Sequence, residues 1–136
     1  MNKLKLSLFA LGMTFGSVAF AQDCGTPLPI HSNDTVTGDT CAAGNPLPTY
    51  GGVGSPQNEV VYSFTAQNAD ATITIAATGG YTGTTPALFL LPACTAASDP
   101  IAFGTPTSPM AVNSLTNGQA YFITATADPG GTNGGC

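Results

Sequence analysis

From residue 22 onward, apolar side chains never recur at the three- and four-residue spacing of a helix face, and Gly, Pro and Thr interrupt the chain too often for long helices. What recurs is alternation. In Glu59-Val-Val-Tyr-Ser-Phe-Thr-Ala66, an extended chain puts Val60, Tyr62 and Phe64 on one face and Val61, Ser63 and Thr65 on the other. After Gln67-Asn-Ala-Asp70, the run Ala71-Thr-Ile-Thr-Ile-Ala-Ala77 sets Ile73 and Ile75 against Thr72 and Thr74. These two runs are expected to form a hairpin with a four-residue turn. Ala87-Leu-Phe-Leu-Leu91 is nearly continuous apolar, as in a strand covered on both faces. Met110-Ala-Val-Asn-Ser-Leu115 alternates, and Ala120-Tyr-Phe-Ile-Thr-Ala-Thr126 is a β run entered through the turn pair Asn117-Gly118. Thr35-Val-Thr-Gly-Asp-Thr40 reads as a weaker strand. Short strands separated by turn signals predict an all-β fold, an antiparallel β-sandwich.

A different kind of segment precedes this pattern. Met1-Asn-Lys-Leu-Lys5 carries two positive charges, residues 6–20 are largely apolar, and Ala19-Phe20-Ala21 is a small-residue cleavage signature. That order is the anatomy of a secretory signal peptide, with cleavage expected after Ala21. The apolar run is shorter than the roughly twenty residues that span a bilayer, and Gly12, Thr14, Gly16 and Ser17 dilute it. No membrane insertion is therefore expected once the signal is removed. Ala21-Gln22-Asp23 before Cys24 also lacks the small and aliphatic residues of a lipoprotein signal. The expected organisation is a signal peptide at 1–21 and a single domain at 22–136, secreted to the cell exterior or, alternatively, periplasmic.

Removing the signal removes every cation, because Lys3 and Lys5 are the only basic residues. What remains is Asp23, Asp34, Asp39, Glu59, Asp70, Asp99 and Asp128 with no Lys or Arg, a formal charge of −7. Nucleic-acid binding rests on Lys and Arg neutralising phosphates, so nucleic acid and anionic lipid surfaces are excluded as direct partners. Phosphate or carboxylate substrates would find no cationic clamp.

Cys24, Cys41, Cys94 and Cys136 are an even number behind an export signal, which reads as two disulfides in an oxidising compartment. Three pairings are possible. The favoured one joins Cys24 to Cys41 and Cys94 to Cys136, closing loops of 18 and 43 residues. Such loops contribute about 3 and about 4 kcal/mol on the chain-entropy account. With no C-x-x-C pair and His31 as the sole histidine, neither a zinc site nor any other cofactor is expected.

Enzymatic chemistry is not expected either. The domain contains no H-E-x-x-H, G-x-S-x-G, P-loop or dinucleotide-binding glycine pattern. His31 sits in Pro27-Leu-Pro-Ile-His-Ser, which reads as an exposed leader, and a solvated surface histidine is the default there. Asp34 and Asp39 suit turn and strand-end roles, and Asp128-Pro-Gly is turn chemistry. Residues 42–58, rich in Gly and Pro, are long for a connector and read as a surface loop pinned near Cys41, with a binding loop as the alternative. In a domain without Trp, Tyr50 and Tyr81 lie in Gly-rich loops and are the candidates for rings that contact a ligand by stacking on a sugar. The same two rings would equally serve to cap the core.

Four stretches taken together carry a family resemblance: Glu59-Val-Val-Tyr-Ser-Phe-Thr65, the Ile-Thr-Ile strand, Leu88-Phe-Leu90 before Cys94, and Ser114-Leu-Thr-Asn-Gly-Gln-Ala-Tyr-Phe-Ile123. Over residues 36–127 the chain resembles the bacterial pre-peptidase C-terminal (PPC) domain family. The resemblance implies a small, jelly-roll-like β-sandwich on a secreted protein, non-catalytic, with polysaccharide or protein as the ligand class. The family's aspartate and Asp/Asn-rich loop are replaced here by Thr84-Thr-Pro-Ala87 and Ile101-Ala-Phe-Gly-Thr-Pro106, so no calcium site is expected. The family's closing Gly-x-Tyr-x-Leu strand does not occur before Cys136, which is expected to reflect either a truncated product or a sandwich without that strand. A sandwich lacking that strand would expose unpaired backbone groups along its neighbour, and the alternative expectation is a structural subunit that self-assembles by strand addition there.

Overall fold

The computed structural model describes residues 5–8, 23–47, 49–50, 53–54, 58–76 and 85–127. It is all-β, with no helix among the described residues. Strands in chain order are β1 (Lys5–Leu8), β2 (Leu28–Pro29), β3 (Thr49–Tyr50), β4 (Val53–Gly54), β5 (Val60–Thr65), β6 (Ala71–Ile75), β7 (Pro86–Leu91), β8 (Ala102–Gly104), β9 (Met110–Val112) and β10 (Ala120–Ala127). They form a five-stranded sheet in the order β2-β5-β10-β7-β8, a three-stranded sheet in the order β1-β6-β9, and the small β3-β4 hairpin. The inner ladders are antiparallel, but both N-terminal additions, β2 on β5 and β1 on β6, are parallel.

Alternation builds the core. Val60, Tyr62 and Phe64 of β5, Leu88 and Leu90 of β7, and Tyr121, Ile123 and Ala125 of β10 point the same way. They meet Ala71, Ile73 and Ile75 of β6 and Met110 and Val112 of β9 in one cluster between the two sheets. Phe64 and Tyr121 stack with ring centroids 5.8 Å apart. β7 is buried on both faces except at Phe89, in keeping with its continuous apolar run.

Five expectations need correction. The β5 and β6 runs do not pair: β5 lies between β2 and β10, and β6 between β1 and β9. The connection at residues 66–70 arches from one sheet to the other because its backbone bonds elsewhere. Ala66 N–H donates to Gln119 O (2.9 Å), Gly118 N–H to Ala66 O (2.8 Å) and Leu115 N–H to Ala69 O (3.0 Å). A hairpin and an arch share the same alternation, so only these partners distinguish them. Residues 35–40 are not a strand; the segment passes close over β5, where a Cβ on Gly38 would collide with Tyr62 Oη. The edge place is taken by β2, inside the stretch expected to be an exposed leader, and Ile30 is buried in the core. Finally, β9 ends at Val112 rather than Leu115, and Ala102–Gly104, expected to be loop, is β8.

The disulfide expectation is also overturned. Cys24 bonds to Cys94 across a sequence separation of 70, not to Cys41. Cys41 is itself disulfide-bonded, and Cys136 lies outside the described residues. Short spacing favoured Cys24 with Cys41, but the fold brings Cys24 and Cys94 together beside Leu47, Leu91, Phe89 and Phe122 on the outer face of the larger sheet. Among the described residues, no helix is long and apolar enough to cross a membrane.

Candidate functional site

Three places in the molecule carry more than packing. The first is the outer face of the five-stranded sheet, where Val61, Thr124, Thr126 and Leu91 are fully buried. Part of the cover comes from the stretch expected to be a surface loop: Leu47 is buried against Leu91, and Thr49 Oγ1 donates to Ala96 O at 3.3 Å. Glu59 sits beneath it with 0 % exposure. Its Oε1 accepts the Leu47 N–H at 2.6 Å, its own N–H donates to Gly44 O at 2.8 Å, and Oε2 has no hydrogen-bond partner among the described residues. Burial pushes the carboxyl up to about 7, against the opposing pull of the Leu47 N–H. In the sequence Glu59 looks like one more surface acid. The signal that marks it is its position in the alternation, on the same side of β5 as the buried Val61.

The second place is the set of acids and the lone histidine. His31 is exposed, with 82 % of its side chain accessible; Asp34 Oδ2 accepts the His31 backbone N–H at 2.7 Å and lies 3.3 Å from its Nδ1. Asn33 between them takes a left-handed φ of 69°, which closes the turn. A hollow beside it, lined by Ile30, His31, Phe64, Gln67, Asp70 and Leu115, holds about 20 Å³, room for about one water. Asp39 Oδ1 accepts the Cys41 N–H at 2.9 Å. Asp23 accepts from Thr26 N–H and hydroxyl and from Gly25 N–H, and those bonds, Thr26 N–H foremost, hold its carboxyl below the usual range. Each of these three acids closes its own turn. Among the described residues no three of His, Cys, Asp and Glu stand close enough to hold a metal.

The third place is the set of sheet edges. β2 is two residues long and contains Pro29. β8 is three residues long and turns at once through Thr105 and Ser108, which bond to each other's backbone. β8 meets β9 at a corner where Gly104 lies directly against Met110. Ile101 and Phe103 are exposed on that side at 47 % and 49 %, and Phe103 packs on Phe89 with centroids 5.1 Å apart. β6 is different: it is five residues long, without charge, Pro or Gly, and its outer side is paired to β1. The register is Lys5↔Thr72, Leu6↔Ile73, Ser7↔Thr74 and Leu8↔Ile75.

Of the tyrosines expected to contact a ligand, Tyr50 lies in β3 with its backbone opposite Val53, and Tyr81 falls outside the described residues. Residues 9–22, including the expected cleavage point, are likewise outside them. Comparison of the chain with protein-family models, with curated proteins and with solved structures finds no match.

Proposed function

We propose that this protein is an exported, non-catalytic β-sandwich of the PPC-like, jelly-roll kind, which acts at the cell exterior by engaging a protein partner along a sheet edge. The observation that carries this reading is β6, a long, uncharged strand whose neighbour on its outer side is β1, from residues 5–8. A strand of the form Ala-Thr-Ile-Thr-Ile has high β propensity and none of the Lys, Pro or bulge devices that normally blunt an edge. Once residues 1–21 are removed, its backbone donors and acceptors need a new strand, which is the physics of β-augmentation. The oxidised pair Cys24–Cys94 supports an oxidising destination. A structural subunit built by strand addition is the second reading, favoured by the same edge. The polysaccharide alternative rests on Tyr50 and Tyr81.

The test is hydrogen exchange on the processed protein, its mass first measured to establish that residues 1–21 are absent and both disulfides present. Alternate amides of residues 71–75 are expected to exchange fast in dilute protein and to be protected in the unprocessed chain. Full protection of all five amides in a processed monomer overturns the edge reading.

A further inference from the structure

We propose that β6 is a self-complementary strand-acceptor, closed in the precursor by residues 5–8 and, after processing, by β6 of a second copy across a two-fold axis. The inference rests on the edge reading above. In the precursor register, apolar Leu6 and Leu8 align with Ile73 and Ile75, and polar Lys5 and Ser7 with Thr72 and Thr74. The edge therefore pairs with a strand whose apolar and polar residues alternate in step with its own. β6 has that same pattern: Ala71, Ile73 and Ile75 are buried and Thr72 and Thr74 half-exposed. A copy of β6 thus supplies what the leader supplied.

Symmetry fixes the geometry. A two-fold axis normal to the sheet makes the β6–β6 pair antiparallel, so the same edge serves both copies and the assembly closes as a dimer. Centred on Ile73, the pairing sets Thr72 of each copy opposite Thr74 of the other, a cross-strand pair that strands favour. The result is a continuous sheet in the order β9-β6-β6-β9. Each processed copy carries −7 and no cation, so long-range repulsion opposes association and added salt relieves it.

The experiment measures mass by sedimentation equilibrium on the processed, oxidised protein over a range of concentration and salt. The expected result is a reversible rise towards twice the monomer mass, favoured by salt. A synthetic peptide of residues 3–9 in excess is expected to return the mass to monomer, less effectively in high salt because Lys3 and Lys5 aid its docking. Thr72→Lys with Thr74→Lys is expected to abolish the rise, and Thr72→Lys with Thr74→Asp to restore it by pairing opposite charges. Circular dichroism matching the parent establishes that both variants fold. A monomer at all concentrations with fast-exchanging β6 amides overturns the second-copy assignment while leaving the edge reading intact. Open-ended polymers, or a dimer indifferent to the peptide and the double lysine variant, overturn it as well.

Discussion

Glu59 makes stability depend on pH in an unusual direction. Its carboxyl is fully buried and stands at about 7 in the folded protein against 4.5 as the ordinary value. Between those two values the folded state keeps a proton that the unfolded chain has released, so folding is weakened as pH rises. The contribution is complete below about pH 4.5, falls through the interval, and levels off above about pH 7. At about 1.4 kcal/mol for each pH unit, the loss across that interval is about 3 kcal/mol. Glu59→Gln keeps a carbonyl oxygen for the Leu47 N–H and removes the ionisation. Urea unfolding of the oxidised protein from pH 4.5 to pH 8.5 is the assay, with the midpoint and slope followed together. The parent is expected to lose about 3 kcal/mol across that range, and Glu59→Gln to show a profile flatter by that amount, with the larger gain over the parent at high pH. Parallel profiles for the two proteins would refute the reasoning, because they would mean that Glu59 ionises in the folded state as freely as in the unfolded one.

Three further outcomes follow from single contacts. Gly104→Ala places a Cβ 2.7 Å from Met110 Cβ and 2.8 Å from Met110 N, at a corner where backbone cannot give way. It is expected to cost about 1–3 kcal/mol in urea unfolding, whereas Gly44→Ala, with nothing within 4 Å, is expected to be nearly silent. Replacing Cys24 and Cys94 together by Ser frees a separation of 70 residues, and calorimetry is expected to show a stability loss of about 4 kcal/mol. Tyr121→Phe removes the acceptor that Thr116 N–H reaches at 3.0 Å; a loss of about 1 kcal/mol is expected, with the hydrogen exchange of Thr116 accelerated.

Periodicity told more about strands than about their neighbours. The β5, β6, β7 and β10 runs were legible because each alternates, or runs apolar, over five residues or more. Which of them pair was not, since inward-facing residues look alike in a hairpin and in an arch. β2 escaped notice because two residues carry no period, and its Pro29 argues for a turn. The loop at 42–58 was legible as long and Gly-rich, but that Leu47 reaches a site beside Leu91 and Thr49 reaches Ala96 depends on the fold. Cysteine number was readable, while pairing depends on which chain ends converge over that face. At the candidate edge, the Thr-Ile alternation of β6 was visible; that its partner strand comes from residues 5–8 was not, because those residues read as a leader.

The edges of this sandwich are shaped by the charge content of the chain. Residues 22–136 hold no Lys or Arg and so cannot blunt their sheet edges with lysine, and the acids described are mostly committed elsewhere. Asp23, Asp34 and Asp39 are held in turns, and Glu59 is buried. The remaining devices are shortness, proline and corners, and β2 and the β8–β9 junction use all three. β6 uses none of them. Its alternation buries Ala71, Ile73 and Ile75 against the larger sheet, and residues 71–73 form the ladder to β9. An uncharged strand of that length, paired on its outer side to residues 5–8, is the edge of this fold most open to strand addition wherever that pairing is lost.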